Sequence, residues 1–257
     1  MISLKDRPLL EGQVALIYGA GGPIGGTVAR AYAREGAVVH LAGRTVTTLD
    51  RVADEIRAAG GVAETARVDA LDKHDVDRFV DGVAERTGRI DITFNAISYS
   101  DVQRPLTELS ADEFMRPIHN AMRSHFLTTR AAVRHMIPRR SGVILAFGGG
   151  GTQTLPGLGG FKIALDAIEG LRRQWACEVG RHGIRVVTLK TGGIPESMPE
   201  DTPGRDEIAN SLDQATLLGR TATLADVGNV AAFVASDLAR TMTSATVNIS
   251  CGAIVDI

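Results

Sequence analysis

VALIYGAGGPIGG, residues 14–26, joins an apolar run to a glycine-rich turn, and a helical pattern over 27–35 follows it. Strand, glycine turn and helix in this order form a known context for dinucleotide binding, because glycines let the backbone approach a pyrophosphate closely. The new helix then points its unpaired amides at the phosphates. A plainer interpretation is a tight turn between a strand and a helix. A second strand that ends at Gly43 and Arg44 follows at the spacing of a βαβ unit, and this favours dinucleotide binding.

Composition limits the remaining classes of function. The chain has 257 residues, a hydrophobic fraction of 44% and a net charge of −2, which fit one large α/β domain and disfavour nucleic acid or an anionic membrane as partner. No apolar run is long enough to cross a bilayer, and residues 1–7 lack the apolar core of a signal peptide, so we expect a cytoplasmic protein. Cys177 and Cys251 lack metal-ligand spacing, so we expect two free thiols and no metal.

Strand and helix patterns alternate from residue 13 to the end of the chain. Strands are predicted at 14–17, 38–42, 62–68, 90–94, 143–147, 184–189 and 246–249, and helices at 27–35, 45–59, 71–87, 110–137, 158–181 and 225–235. This alternation predicts one Rossmann-type α/β domain over residues 1–257: a doubly wound, seven-stranded parallel sheet with helices on both faces. Ligands of such sheets bind at the carboxyl ends of the strands, where the strand order reverses.

Two segments break the simple pattern. Ser110 and Glu113 form a capping box for the fourth helix, in which Pro117 should cause a kink or a later start, and Pro138 should end the helix. Residues 192–219 are rich in proline and mixed charge and have little periodicity. They are either a solvated loop or a substrate lid, and their place after the sixth strand favours the lid.

With these elements placed, the chain resembles the short-chain dehydrogenase/reductase family over essentially its whole length. The resemblance rests on the order and spacing of several motifs: LEGQVA at 10–15, the acidic Asp69 after the third strand, Asn95-Ala96 with Ile97 in place of the usual glycine, HGIRV at 182–186, TGGI at 191–194 and FVASD at 233–237. It implies a nicotinamide cofactor held by Gly19, Gly21, Gly22, Pro23, Ile24, Gly25, Asp69, Ala70, Asn95, Ala96, Ile97, Thr191, Gly192 and Ile194.

The end of the second strand decides between NAD and NADP. An acidic side chain there would bind the adenosine ribose hydroxyls and repel a 2′-phosphate, but this chain has Gly43, Arg44 and Thr45. A guanidinium forks onto a phosphate and a neighbouring hydroxyl adds a donor, so NADP(H) is the predicted cofactor. Pro23 departs from the family's glycine and removes one backbone donor, although proline suits the first turn of a helix.

The resemblance also implies a catalytic set of asparagine, serine, tyrosine and lysine. In the family the tyrosine protonates the carbonyl, the lysine lowers the pKa of the tyrosine, the serine positions the carbonyl and the asparagine anchors a water. Aligned from their flanking residues, these positions hold Ala121, Gly149, Phe161 and Leu165. Loss of a positioned acid costs about 10² to 10⁴ in rate, so ordinary ketone reduction by the family mechanism is not expected. We expect all four positions to meet at the nicotinamide end of an apolar cleft.

Several other side chains are candidate substitutes. Lys162 follows Phe161 and is either a replacement cation or a solvated lysine. His125 lies one turn after Ala121 and is either a proton donor near neutral pH or a helix-packing residue. Tyr99, with Ser98 and Ser100 beside it, either reaches the pocket mouth or is a plain loop tyrosine.

The loop after the fifth strand supplies two more candidates. Gln153 is a candidate hydrogen-bond donor to a substrate carbonyl, and Ser98 is the other predicted substrate contact. The glycine run 148–151 offers backbone amides for an oxyanion site, or simply leaves room for the cofactor.

Three functions remain open from the sequence. The first is an NADP(H)-dependent reductase of an activated C=C, C=N or quinone, which we favour because of the resemblance. The second is a redox-silent, cofactor-binding partner subunit, for example in a hetero-oligomer with an active relative. The third is a lyase, isomerase or cyclase on the same scaffold. The resemblance further implies a homo-oligomer, a tetramer or a dimer, acting on a small molecule.

Overall fold

Seven strands and seven helices alternate in residues 8–151 and 154–255, the part of the chain that the computed structural model describes. The strands are β1 (Val14–Tyr18), β2 (Val38–Gly43), β3 (Val62–Arg67), β4 (Ile92–Asn95), β5 (Gly142–Phe147), β6 (Ile184–Lys190) and β7 (Ala245–Asn248). The helices are α1 (Pro23–Arg34), α2 (Val46–Ala58), α3 (Lys73–Thr87), α4 (Ala111–Arg139), α5 (Gly159–Val179), α6 (Arg205–Gln214) and α7 (Leu224–Ala235).

All neighbouring strands are parallel, in the order β3-β2-β1-β4-β5-β6-β7. The predicted doubly wound, seven-stranded sheet is therefore confirmed. The strand order reverses between β1 and β4, where Tyr18 pairs with Asn95. A crevice at the carboxyl edge of the sheet begins at this point.

The two faces of the sheet bury different helices. Ile17 and its neighbours on one face pack with Val28 of α1, Leu49 of α2 and Val227 of α7. Leu16, which points to the opposite face, shares a second core with residues of α3 and α4. Successive strand residues alternate between faces, and each large aliphatic side chain that is fully buried contributes about 1.5–3 kcal/mol. These two cores fix the helices on either side of the crevice.

Helix α1 begins at Pro23, four residues before the start predicted from the sequence. Proline is preorganised for the first helical position, so Pro23 starts the helix rather than preceding it. Position 25 must be glycine, because a Cβ there would lie 2.3 Å from the Gly19 carbonyl oxygen. A glycine adds nothing to an apolar pattern, so the pattern did not indicate this first turn of the helix. Only glycine allows the turn and the helix to approach this closely.

Helix α4 runs through both of its prolines. The capping box of Ser110 and Glu113 is confirmed, and the helix starts at Ala111, so Pro117 does not delay it. The prediction that Pro138 ends the helix is wrong, because α4 continues to Arg139 and ends where Arg140 adopts a left-handed φ of 53°. A proline removes one backbone hydrogen bond, which a 29-residue helix can lose near its end.

Residues 192–219 contain more structure than their pattern indicated. A 3₁₀ turn spans Pro195–Ser197, and α6 follows within the same segment. None of the residues of α6 is buried, which explains why the helix shows little apolar periodicity. Leu212 of α6 lies against Gly193, where a Cβ would approach its side chain to 3.1 Å. The helix therefore covers the turn after β6, and its role as a lid stays a proposal.

Candidate active site

A cavity of about 330 Å³ lies at the carboxyl edge of β1, β2, β3 and β4. Nine of the sixteen residues predicted to bind the cofactor line it: Gly19, Gly21, Gly22, Arg44, Thr45, Asp69, Ala70, Ala96 and Ile97. Ser98, predicted as a substrate contact, lines this cavity too. Ser100, which follows Tyr99, lines the cavity as well. The sequence did not single out Thr48 or Leu71, which are also in the wall, because nothing in their local pattern marks them.

The glycines at the cavity floor are required by close contacts. A Cβ on Gly21 would lie 2.3 Å from the Thr48 hydroxyl oxygen, and one on Gly19 would lie 2.5 Å from the Ala96 carbonyl oxygen. Gly19 also has a left-handed φ of 76°. Any larger residue would clash with α2 or with the loop after β4, so only glycine fits at these two positions.

The N-terminus of α1 faces the same space and fits a pyrophosphate. Gly22 caps the helix without a side-chain hydrogen bond, and no acidic residue lies in the first turn. Gly26 donates to the Gly22 carbonyl, so the amides of Ile24 and Gly25 precede the helical ladder and are the free donors. Pro23 removes only the first donor of this set. The remaining amides and the helix dipole suit a bound dianion.

The end of β2 brings the positive charge of Arg44 to the cavity and has no acidic side chain there. Arg44 and Thr45 are exposed at the end of this strand. Asp69 lies opposite, and its carboxylate accepts from the Leu71 amide at 2.9 Å, which fixes its position in the cavity wall.

Asn95 has a supporting position behind the cavity. Its amide nitrogen donates to the Thr128 hydroxyl at 3.2 Å, and its oxygen accepts from the Ile97 amide at 3.0 Å. Asn95 is buried and ties the end of β4 to α4. It shapes the loop that contains Ala96 and Ile97.

The turn after β6 lies at the same edge of the sheet but not in the wall of this cavity. Thr191 and Gly192 are partly buried, and Ile194 is buried. A Cβ on Gly192 would lie 2.5 Å from the Ala253 side chain, so the turn is packed tightly against the last residues that the structure describes. These three residues border the region where the resemblance places the nicotinamide.

Three of the four positions of the family's catalytic set lie in one apolar cluster. Ala121 is fully buried, and Phe161 and Leu165 pack beside it together with Tyr99. Gly160 allows α5 to approach α4 here, since a Cβ on it would lie 2.0 Å from the Phe114 carbonyl oxygen. The side chains of the cluster are apolar apart from the Tyr99 hydroxyl, and its position at the nicotinamide end of the cofactor cleft stays a prediction.

The fourth position, Gly149, faces elsewhere. A Cβ on Gly149 would lie 2.9 Å from a Glu169 carboxylate oxygen, below the loop, whereas a Cβ on Gly148 would lie 3.1 Å from the Leu165 side chain. The geometry thus places Gly148, and not Gly149, beside Leu165. The spacing of residues in the sequence could not show which of these two glycines faces Leu165, because the way each position of a glycine run points depends on the fold around it.

Tyr99 and His125 form a buried pair inside the apolar cluster. The Tyr99 hydroxyl lies 3.0 Å from His125 Nε2 and donates to the Phe147 carbonyl at 3.1 Å. The Tyr99 and Phe161 rings are 6.2 Å apart. Burial raises the pKa of Tyr99 and lowers the pKa of His125 to about 4. His125 is therefore neutral at pH 7, which argues against the proton-donor interpretation and for the packing one.

Lys162 is held away from the cluster. Its ammonium donates to the Asp166 carboxylate at 2.6 Å and to the Gly151 carbonyl at 2.6 Å. This i,i+4 ion pair leaves 14% of the Lys162 side chain exposed, so Lys162 is neither a free cation beside the cluster nor a solvated lysine. Gln153 lies outside the described residues. Asn120, one residue before Ala121, lines the cavity and donates to the Tyr99 carbonyl at 3.1 Å.

The described part of the chain contains neither a membrane-spanning helix nor a cluster of metal-ligating side chains. No helix there is long and apolar enough to cross a membrane. Nor does any group of histidine, cysteine or acidic side chains in residues 8–151 and 154–255 have the arrangement of a metal site. Cys177 and Cys251 are free thiols.

A parallel sheet with a glycine turn and an unpaired helix N-terminus at the point of strand reversal defines a dinucleotide-binding α/β protein. The model of a family described as Enoyl-(Acyl carrier protein) reductase matches residues 19–253. The chain belongs to the short-chain dehydrogenase/reductase family of oxidoreductases, as the resemblance indicated.

Known members of the family are similar over nearly their full length. Gluconate 5-dehydrogenase of Gluconobacter oxydans is 32% identical, over 91% of this chain and 92% of its own. Secoisolariciresinol dehydrogenase of Forsythia intermedia is 31% identical, over 90% of this chain and 85% of its own. The solved structure of NAD⁺-bound xylitol dehydrogenase has a TM-score of 0.87 and 23% identity, over 95% of this chain and 99% of that one, and this likeness concerns the fold.

Proposed function

We propose that this protein binds NADP(H) and reduces a small molecule with an activated C=C, C=N or quinone group. The observation that carries the proposal is the apolar cluster of Ala121, Phe161 and Leu165, whose one phenol, on Tyr99, is buried and already hydrogen-bonded. Bound NADPH would supply the hydride. The chain's own residues would then bind and orient the acceptor.

An acceptor of this type needs little help from a protein acid. Hydride addition to an enone or a quinone places negative charge on an oxygen that conjugation stabilises, and water can protonate it. A simple ketone would develop an alkoxide, which needs a positioned donor. The match to a family described as an enoyl reductase supports C=C reduction, whereas the names of the relatives describe alcohol and polyol dehydrogenases.

The choice of NADP(H) rests on Arg44 and Thr45 at the mouth of the cavity. An arginine beside the adenosine ribose attracts a 2′-phosphate, and Gly43 supplies no carboxylate to repel it. The NAD⁺ of the xylitol dehydrogenase structure belongs to that protein. Free Cys177 and Cys251 suit a reducing compartment, so we place the protein in the cytoplasm.

We also propose that the protein is a homo-oligomer, a tetramer or a dimer. Phe126 of α4 stacks on Trp175 of α5 with the ring centroids 6.0 Å apart, and Phe126 remains 46% exposed. A stacked aromatic pair on the outer surface of two long helices is the kind of apolar area that a second subunit covers. If the second subunit were instead an active relative, this protein would be the redox-silent partner in a hetero-oligomer.

A cofactor and acceptor screen tests the function. NADPH and NADH binding is measured first by fluorescence titration, and NADPH oxidation is then followed with simple ketones, enones, imines and quinones. We expect tight NADPH binding and oxidation with at least one activated acceptor but not with ketones. Cofactor binding without oxidation by any acceptor would favour the redox-silent partner. Fast ketone reduction would contradict the proposal and point to a proton donor that the apolar cluster does not contain.

A further inference from the structure

Arg67, at the end of β3, lies beside the strand end that decides cofactor choice. In the pairing of β2 with β3, Arg67 is the direct partner of Gly43, and the Val68 amide donates to the Gly43 carbonyl at 2.9 Å. Paired residues of neighbouring strands are about 4.8 Å apart and point to the same face of the sheet. Arg67 therefore leaves the sheet on the side where Gly43 has no side chain, next to Arg44.

The start of α2 covers this same face. Thr65, two residues before Arg67 and on the same side of β3, donates to Asp50 of α2 at 2.8 Å. Leu49 packs against the open side of Gly43, where a Cβ would lie 3.4 Å from its side chain. Arg67 is one strand repeat closer to the carboxyl edge than Thr65, which brings it to the first turn of α2, where Thr45 and Thr48 line the cavity.

The charges around Arg67 leave it available for an anion. Arg67 and Arg44 are both exposed, and neither pairs with a carboxylate in residues 8–151 and 154–255. The nearby carboxylates have other partners: Asp50 accepts from Thr65, and Glu64 pairs with Arg86 at 3.2 Å. Two guanidinium groups without a carboxylate partner, one directly after Gly43 and one across from it, can both attract an anion at this strand end.

We propose that Arg67 and Arg44 together bind the 2′-phosphate of NADP(H), with Arg67 as a second determinant of cofactor specificity. This inference rests on the NADP(H) binding proposed above. Two planar guanidinium groups can each offer paired donors to one phosphate, which a lone arginine cannot do from both sides. Val68 and Asp69, which follow Arg67 directly, line the cavity, so β3 brings adenine contacts and a phosphate cation to one place.

Calorimetric titration of the full chain with adenosine 2′,5′-bisphosphate and with 5′-AMP tests this pair. The unmodified protein should bind the bisphosphate more tightly. Arg67→Ala should weaken bisphosphate binding about 10-fold, the size of one charge-assisted contact at an exposed site, and leave 5′-AMP binding unchanged. Arg67→Glu should reverse the preference between the two nucleotides. Arg51→Ala, an exposed arginine of α2 paired with Glu55, is the matched control and should change neither affinity.

The outcomes separate the two proposals. One outcome is that the unmodified protein prefers the bisphosphate, with Arg44→Ala weakening its binding and Arg67→Ala binding it as tightly as the unmodified protein. That result would refute the role of Arg67 and leave the proposal of NADP(H) binding intact. If the unmodified protein shows no preference for the 2′-phosphate, the proposed cofactor is wrong and the role of Arg67 fails with it. Equal loss for both nucleotides in Arg67→Ala, with a lowered melting temperature, would mean a structural role and would also overturn the inference.

Discussion

The Tyr99 hydroxyl lies 3.0 Å from His125 Nε2 and donates its single proton to the Phe147 carbonyl at 3.1 Å. With the Tyr99 proton on the Phe147 carbonyl, the matching neutral tautomer of His125 carries its proton on Nε2 and donates it to the phenol oxygen. The pair joins α4, the loop after β4 and the end of β5. It fills the space beside Ala121 and Phe161 with a neutral, hydrogen-bonded pair.

Restoring the family's catalytic set should raise ketone reduction only in combination. Phe161→Tyr alone leaves a phenol with a pKa near ~10 and no cation to lower it, so kcat/KM for a ketone with NADPH should change little. Phe161→Tyr with Leu165→Lys and a serine should gain far more than the sum of single changes, because the residues act as one unit.

The position of that serine distinguishes two alignments. Gly148→Ser should serve the restored site better than Gly149→Ser, since position 148 faces Leu165 and position 149 faces Glu169. The left-handed φ of 87° at Gly148 should cost about 1–2 kcal/mol of folding stability. Higher kcat/KM in the triple variant with Gly149→Ser would support the alignment made from the sequence instead.

Arg44→Asp should exchange the cofactor preference. The carboxylate would repel a 2′-phosphate and accept from the ribose hydroxyls, so NADPH binding should weaken and NADH binding should persist or improve. Fluorescence titration with both cofactors measures the ratio of the two dissociation constants. Tighter binding of NADH than of NADPH by the unmodified protein would contradict the assignment.

Stability should fall in mild acid because of His125. Its folded pKa of about 4 lies below the ordinary 6.5, so the unfolded chain takes up the proton first. The stabilisation is complete above pH 6.5, declines as the pH falls from 6.5 towards 4, and amounts to about 3 kcal/mol. His40, whose pKa is also lowered by burial, adds a change of the same sign.

Urea unfolding at several pH values measures this loss. His125→Gln keeps a donor to Tyr99 but cannot titrate, so its unfolding free energy should depend less on pH. His119→Gln, at an exposed position of the same helix, is the control and should leave the profile unchanged. Identical profiles for His125→Gln and the unmodified protein would show that His125 is not buried in solution.

Substitution by alanine should change the folding stability in opposite directions at two glycines of α5. Gly160→Ala places a methyl group 2.0 Å from the Phe114 carbonyl oxygen and should force α5 away from α4 at a cost of several kcal/mol, roughly that of an overpacked core. Gly170→Ala meets no atom within 4 Å and should stabilise the helix by about 0.5–1 kcal/mol. Thermal unfolding compares them, and equal melting temperatures would mean that the helices do not cross this closely.

An oligomer built on α4 and α5 should depend on Phe126. Phe126→Glu introduces a charge onto the stacked pair with Trp175, so the mass measured by light scattering at micromolar concentration should fall. Val62→Glu, on an exposed valine at the start of β3, should leave the mass unchanged. A monomeric mass for the unmodified protein would remove the idea.

The order of elements could be predicted from the sequence because it depends on local periodicity. Residues 14–26 established the first strand, the glycine turn and the cofactor edge, and the later strands followed from short apolar runs. The ends of α1 and α4 were missed because Pro23 starts a helix and Pro138 lies within one. Helix α6 was missed since an exposed helix carries no apolar stripe.

The sequence alone determined which chemical groups are present: an arginine and no acid at the end of β2, and no phenol or ammonium at positions 161 and 165. Only the tertiary structure decided how those groups act. Burial made His125 neutral, an ion pair with Asp166 held Lys162, and strand pairing brought Arg67 beside Gly43. The type of each residue can be read directly from the sequence. The charge state of a side chain, the way it points and the groups that it contacts depend on distant segments that meet only in the folded chain.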